Sequence, residues 1–278
     1  MLSTLVARPL GQSHVAQVAA VLAADPVTSC LVASRFEYAG MDRVALGGQF
    51  WGVAGGRDGL VFAGPNLVPL AGDAHALRMF AGAIGKRGRS CASVLGPADL
   101  VLGLWERLEP RWGAARDIRS EQPLMVCPTT PTVPPDEDVR VVRPDQLDAY
   151  YPAAVAMFTE EVGVDPRAGD GGRWYKARVA DLIAAGRALA RFDGDRVIFK
   201  AEIGALSSQV GLIQGVWVDP AVRGSGLAAP GTAALVRQVQ QVYRRLPSLY
   251  VNHDNYAARA AYARVGFQRV GTFASVQF

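Results

Sequence analysis

The stretch best equipped for chemistry runs Val216-Trp-Val-Asp-Pro-Ala-Val-Arg-Gly-Ser-Gly-Leu-Ala228. An apolar run ends at Asp219-Pro220, and Arg223, Gly224, Ser225, Gly226, Leu227 and Ala228 turn the chain into a helix. Glycines let backbone amides converge without interference from a Cβ. At a helix start those amides point outward with the positive end of the helix dipole behind them. Such an arrangement can cradle a diphosphate. A glycine-rich strand-to-helix turn by itself is equally consistent with a tight turn that binds nothing.

A second segment lies downstream. On a helix, Asn255, Ala258, Tyr262 and Val265 share one face at spacings of three and four. Small Ala258 allows close approach of a ligand or strand, Asn255 offers a side-chain amide near the helix start, and Tyr262 sets a phenol on the same line. Gly266 ends the helix in a conformation other residues resist. The plain alternative for Tyr262 is a core aromatic with a satisfied hydroxyl.

Taken together, the two segments resemble the GNAT superfamily of acyltransferases. Arg223, Gly226 and Ala228 read as its Arg/Gln-x-x-Gly-x-Gly/Ala signature, and Asn255-x-x-Ala258-x-x-x-Tyr262-x-x-x-Gly266-Phe267 as the segment after its fifth strand. The resemblance implies acetyl-CoA, or another acyl-CoA, as co-substrate and no metal. Backbone groups of Val216, Trp217 and Val218 would lie along the pantetheine arm as a cofactor-supplied strand. Amides from Gly224 to Ala228 would hold the diphosphate, and Asn255 would help fix the arm. An amine would attack the thioester directly, with positioning supplying much of the rate and Tyr262 protonating the departing thiolate.

The general base is less legible. Glu202 in the apolar strand Phe199-Lys-Ala-Glu-Ile203 is the candidate, because an acid there demands explanation. Its other reading is a partner for Lys200, two residues away on the same strand face. Asp219 reads as a turn cap, His253 as an exposed loop residue with contact to the acceptor as the alternative, and Trp217 as core or as part of the acceptor wall. Pro230 follows the glycine turn closely, a departure from the family pattern that a helix tolerates only in its first turn.

These residues need a mixed α/β (α+β) scaffold to position them. A helix is expected from about Gln146 to Glu161, another through Tyr175, Val179, Leu182 and Ile183 to a stop at Gly186, and strands Ala188–Phe192 and Arg196–Ala205 around the turn Asp193-Gly-Asp195. Gln209–Val218 reads as a central strand, followed by a helix to about Arg245, a strand Ser248–Asn252, a helix Asn255–Val265 and a closing extended segment Phe267–Phe278.

The proline-rich run from residue 128 to 137 reads as a stiff connector between residues 1–127 and the GNAT domain at 138–278. Leu5-Val-Ala-Arg-Pro-Leu10 and Arg140-Val-Val-Arg-Pro-Asp145 open the two halves alike, each a strand ending at proline before a helix, the first about His14–Ala24. The first half has strand-like stretches at Leu60–Phe62 and Cys91–Leu95, helix-like ones at Asp73–Ile84 and Asp99–Leu108, and a turn at Gly64-Pro65-Asn66, with neither motif. The whole resembles a tandem GNAT arrangement whose first copy is degenerate and lacks an acyl-CoA site; an unrelated first fold is the alternative.

Composition narrows the classes. With 50% hydrophobic and 19% charged residues the chain can fill a core. The net charge of +4 comes from scattered arginines rather than a basic stripe, which argues against a nucleic-acid partner. Cys30, Cys91 and Cys127 are an odd number at no metal-ligand spacing, the usage of a reduced cytoplasmic protein. Met1–Ala24 has no basic n-region, and no stretch is apolar for long enough to span a bilayer. The expected function is N-acylation of an amine, small molecule or protein. A non-catalytic acyl-CoA sensor and a transferase drawing on aminoacyl-tRNA are the alternatives.

Overall fold

The computed structural model describes residues 6–278, so Leu5 of the predicted opening strand, and residues 1–5 of the segment tested for a leader, lie outside the described residues. The first half runs β1 (Arg8–Pro9), α1 (Val15–Ala24), α2 (Pro26–Ala39), α3 (Arg43–Leu46), β2 (Gln49–Val53), β3 (Gly59–Ala63), β4 (Asn66–Gly72), α4 (Ala74–Gly85), β5 (Ser93–Pro97), α5 (Ala98–Trp112) and β6 (Asp117–Val126). The second runs β7 (Arg140–Val141), α6 (Leu147–Val162), α7 (Arg173–Ala184), β8 (Ala188–Asp193), β9 (Arg196–Leu206), β10 (Val210–Val218), α8 (Ala228–Arg237), β11 (Leu246–Tyr250), α9 (Tyr256–Val265) and β12 (Gln268–Gln277). Apart from the short α3, the two halves repeat the same succession of strands and helices.

Local chemistry accounts for the boundaries. The turn Gly194-Asp195 closes the β8–β9 hairpin, with Gly194 at φ 58°. Asp73 caps α4 through the Ala76 amide at 2.9 Å, and Asn255 caps α9 through the Ala258 amide at 3.1 Å. Gly163 and Gly266, both left-handed, end α6 and α9. Helix α8 stops at Arg237, short of Arg245; one wider turn at Gln238–Val242 carries the chain on towards β11.

The twelve strands of the described residues form one mixed sheet in the order β1-β2-β3-β4-β5-β12-β6-β11-β10-β9-β8-β7. The last strand of each half is exchanged. β12 pairs antiparallel with β5 of the first half, Ala274 opposite Gly96, and buries Ala274 and Val276 in the first half's core with Leu104 and Leu108. β6 pairs antiparallel with β11 of the second half, Leu249 opposite Met125, and buries Met125 in the core built from Phe199, Ile213, Leu235 and Val265. The proline-rich segment that the sequence reads as a connector runs between these exchanged strands. It lies against the second half, with the Thr132 amide donating to Val265 O and the Asp136 amide to Pro230 O, each at 3.0 Å.

Around β9 the strand alternation sorts the side chains. Phe199, Ala201 and Ile203 face α8 and α9, whereas Lys200 and Glu202 face α6, where Tyr150 stands.

Candidate active site

β10 and β11 run parallel and pair only at Val210–Leu246, Gly211–Pro247 and Leu212–Ser248. Beyond that point each strand is drawn away by its outer neighbour. β10 stays registered on β9 as far as Val218 opposite Phe199, and β11 stays registered on β6 as far as Tyr250 opposite Leu124. The strands therefore fork, and among the described residues the edge of β10 facing the fork has no strand partner after Leu212. A cleft of about 1030 Å³ fills the gap, with Val216, Trp217 and Val218 on one wall and Tyr250, Asn255, Ala258 and Tyr262 on the other.

A bulge sharpens the fork. Between Gln214, opposite Glu202, and Trp217, opposite Lys200, β10 holds one residue more than β9. Gly215 takes the bend at φ 58°, where a Cβ would meet the Met157 methyl at 2.9 Å and Lys200 Nζ at 3.2 Å.

At one end of the cleft stands the predicted anion loop. Gly224 and Gly226 are left-handed at φ 80° and 90°. Among the described residues, the amides of Gly224, Gly226, Leu227, Ala228 and Ala229 have no intramolecular acceptor. Pro230 is the third residue of α8 and falls in its first turn, where it removes an amide that had no partner to lose. Ser225 does not face the cleft; its hydroxyl turns back to Val222 O at 2.6 Å. Arg223 is committed sideways, with Nε on Val218 O at 3.0 Å and a guanidinium nitrogen on Glu160 Oε2 at 2.6 Å. Glu160 also accepts from the Trp217 indole at 3.1 Å, so Trp217 is a cleft-wall residue with its ring in the core against α6. Arg264, absent from the sequence reading, lines the same cleft.

Tyr262 is buried at 7% exposure and borders the cleft. Burial, and then the charge of Glu161, push its phenol far above the ordinary tyrosine range, so it stays protonated. Tyr250 across the fork is pushed up to about 12 for the same two reasons in the same order. Asn255 lines the cleft and caps α9 with its oxygen, and its NH₂ has no partner among the described residues.

Glu202 is 1% exposed and Lys200 0%. Lys200 Nζ lies 2.6 Å from Glu202 Oε1, the Tyr150 hydroxyl donates to the same oxygen at 3.1 Å, and an Arg178 guanidinium nitrogen stands 3.9 Å from Oε2. Burial alone drives the Glu202 carboxyl up, but Lys200, Arg178 and Tyr150 together hold it below the usual carboxylate range. The group is anionic and engaged.

Glu202 lines the cleft from its buried ion pair, and Glu161, at the end of α6, lines the same cleft from an exposed position. The Glu161 side chain reaches solvent and forms no ion pair among the described residues, and the protein packed around the end of α6 raises its pKa. The sequence marked α6 only as a helix. Its one signal was a pair of acids, Glu160 and Glu161, in a last helical turn where the dipole disfavours negative charge. His253 is exposed and stands 3.4 Å from Glu121, and Asp219 caps the turn after β10 through the Ala221 amide at 2.9 Å.

The overall fold recurs in solved structures. Similar to this chain are a GCN5-related N-acetyltransferase from Sphaerobacter thermophilus (TM-score 0.58, 18% identity, 100% of this chain and 96% of that one) and a GNAT-family acetyltransferase from Colwellia psychrerythraea (0.57, 13%, 98% and 99%). A third is a tandem GNAT protein from the clavulanic acid biosynthesis pathway (0.52, 17%, 98% and 98%). This is a GNAT fold. A family profile described as FR47-like protein matches residues 198–275, which contain both arms of the GNAT fork, and a domain family of unknown function, DUF4081, matches residues 48–150. No curated protein matches the chain. Among the described residues no helix of this GNAT fold is long and apolar enough to cross a membrane, and no group of His, Cys, Asp and Glu gathers as a metal site would require.

Proposed function

We propose that the chain is an N-acyltransferase that takes the acyl group of acetyl-CoA, or a close acyl-CoA, to an amine in the β10–β11 cleft. The observation that carries this reading is the row of unpartnered amides at Gly224, Gly226, Leu227, Ala228 and Ala229 at the end of the fork. Unpaired amide donors at a helix N-terminus are an anion site, and one continuous with an unpaired strand edge suits a long ligand with a diphosphate at one end and amides along its arm. The free edge of Val216, Trp217 and Val218 takes the arm, Asn255 donates to it, and Arg264 adds positive charge. Arg223 serves through position, tying the loop to Glu160 and Val218.

In the reaction the amine nitrogen bonds to the thioester carbonyl carbon as the carbon–sulfur bond breaks. Tyr262, kept protonated by its surroundings, donates its proton to the departing sulfur and is reprotonated through solvent by the proton that the nitrogen sheds as the amide forms. We assign the base to Glu161 rather than Glu202. A carboxylate held ionised by a buried lysine is a weak base, whereas one raised by its surroundings and facing the cleft can take the proton of an ammonium acceptor. Glu202 keeps Lys200 neutralised beneath the bulge.

Among the described residues the first half offers no equivalent loop. β4 passes into α4 through Asp73, whose carboxylate occupies the helix N-terminus and is held ionised by the Ala76 amide. We therefore place a single acyl-CoA site, in residues 138–278.

Calorimetry with acetyl-CoA and release of free thiol over an amine panel test the proposal. Binding with turnover of an amine is expected. Absence of both ends the enzyme reading, while binding without turnover favours an acyl-CoA sensor.

A further inference from the structure

The first half reaches into the cleft of the second. Exchange of β6 sets Arg119 against the end of α6, where one guanidinium nitrogen donates to Glu161 O at 2.5 Å, another to Asn252 Oδ1 at 3.5 Å, and Nε holds Asp117 at 2.9 Å. Just before β6, Arg116 donates to Val162 O at 2.6 Å and is itself anchored by its amide on Gln277 O at 2.9 Å. Asn252, which follows β11, is fixed in turn by the Gln122 amide at 2.8 Å. The last carbonyls of a helix have no partner within it and carry the negative end of its dipole. Here that end also bears Glu160 and Glu161. Two arginines on the two last carbonyls offset a charge arrangement that the helix alone disfavours.

We propose that Arg119, with Arg116, is a positioning residue: it clamps the end of α6, sets where Glu161 stands in the cleft, and makes the first half a working part of the second half's acceptor side. The inference rests on the acyltransferase reading for the word acceptor, but the clamp stands on its own distances. Arg119 borders the cleft with 19% of its side chain exposed, so its charge is felt there. The charged and titratable groups that face Glu161 are Arg119 from β6, Tyr175 from α7, Lys200 and Glu202 from β9, Tyr250 from β11 and Tyr262 from α9. Arg119 is the cation among them that also grips the Glu161 backbone.

The test uses the full chain labelled with carboxyl-¹³C glutamate, with Glu161 assigned by comparison with Glu161→Gln. In Arg119→Gln the Glu161 titration midpoint is expected to rise by about one pH unit, because a neighbouring cation that favoured the ionised form is gone. Amide hydrogen exchange over residues 160–166 is expected to quicken. Arg119→Lys keeps the charge but not the fork, so its midpoint returns close to wild type while the exchange stays fast. An unchanged midpoint and unchanged exchange in a folded Arg119→Gln overturns the proposal. Should that variant not fold, undiminished protection in Arg119→Lys overturns it instead. Acetyl-CoA affinity measured on the wild-type sample is independent: its absence would remove the acyltransferase reading and leave the clamp standing.

Discussion

Lys200 Nζ and Glu202 Oε1 meet at 2.6 Å with neither side chain reaching solvent, directly beneath the bulge that opens the cleft. Removing one member of a buried pair strands the other, which costs about 3–5 kcal/mol, whereas replacing both with apolar groups costs far less. Glu202→Gln should therefore lower unfolding free energy by roughly that amount at pH 7, and Lys200→Met with Glu202→Leu should recover most of it. Because the folded-state pKa of Glu202 is depressed below 4.5, its contribution is complete above that value and is lost as pH falls through the folded pKa. Urea titrations at pH 7 and pH 4 would show the gap between wild type and Glu202→Gln narrowing in acid.

Tyr262→Phe removes a hydroxyl that has no hydrogen-bond partner among the described residues, so stability should move by less than about 1 kcal/mol. As general acid it should lower kcat by roughly 10²–10⁴-fold with acetyl-CoA affinity retained. Steady-state kinetics beside calorimetry separate the two effects. Undiminished kcat would remove Tyr262 from the chemistry.

The pH profile follows from Glu161. The protein packed around it raises its carboxyl above the ordinary carboxylate range, and it acts ionised. Hence kcat/KM should climb with pH through a midpoint above the ordinary carboxylate range, and Glu161→Gln should abolish that limb. Tyr262, raised far above the ordinary phenol range, should contribute no falling limb at usable pH.

Gly226 sits at φ 90° with no atom near its missing Cβ, so a substitution there tests conformation without a clash. Gly226→Val should cost about 1–2 kcal/mol of stability. The larger effect should be on acetyl-CoA, weakened by about tenfold or more as the loop amides lose their common aim.

Strand exchange makes the halves one folding unit. Residues 138–278 expressed alone lack β6, which leaves β11 with an unpaired edge and the core without Met125. The fragment should show no cooperative unfolding, and the full chain a single calorimetric transition. Two separated transitions in the full chain would contradict this.

The glycine turn and the α9 face were legible because their determinants are local. Gly224 and Gly226 adopt positive φ in the loop, Asn255 caps the helix it precedes, and Tyr262 follows at helical spacing on the cleft side. The Lys200–Glu202 pair was also within reach, since two residues on one strand share a face. Glu161 was not, because an acid at a helix end reads as solvated until the elements around it are known. Arg119 was further away still, in a half that carries neither motif.

By itself, then, the amino-acid sequence determined the repeated strand–helix order of the second half, the glycine turn with its amides, and the placement of Asn255 and Tyr262, since each depends on backbone preferences spanning a few residues. Tertiary structure alone decided that β6 and β12 change places, that β10 and β11 part after Leu212 and Ser248, and that Arg119 meets the end of α6. Strand pairing joins segments far apart in the chain, and hydrophobic alternation tells a strand which face to bury but not which neighbour to choose.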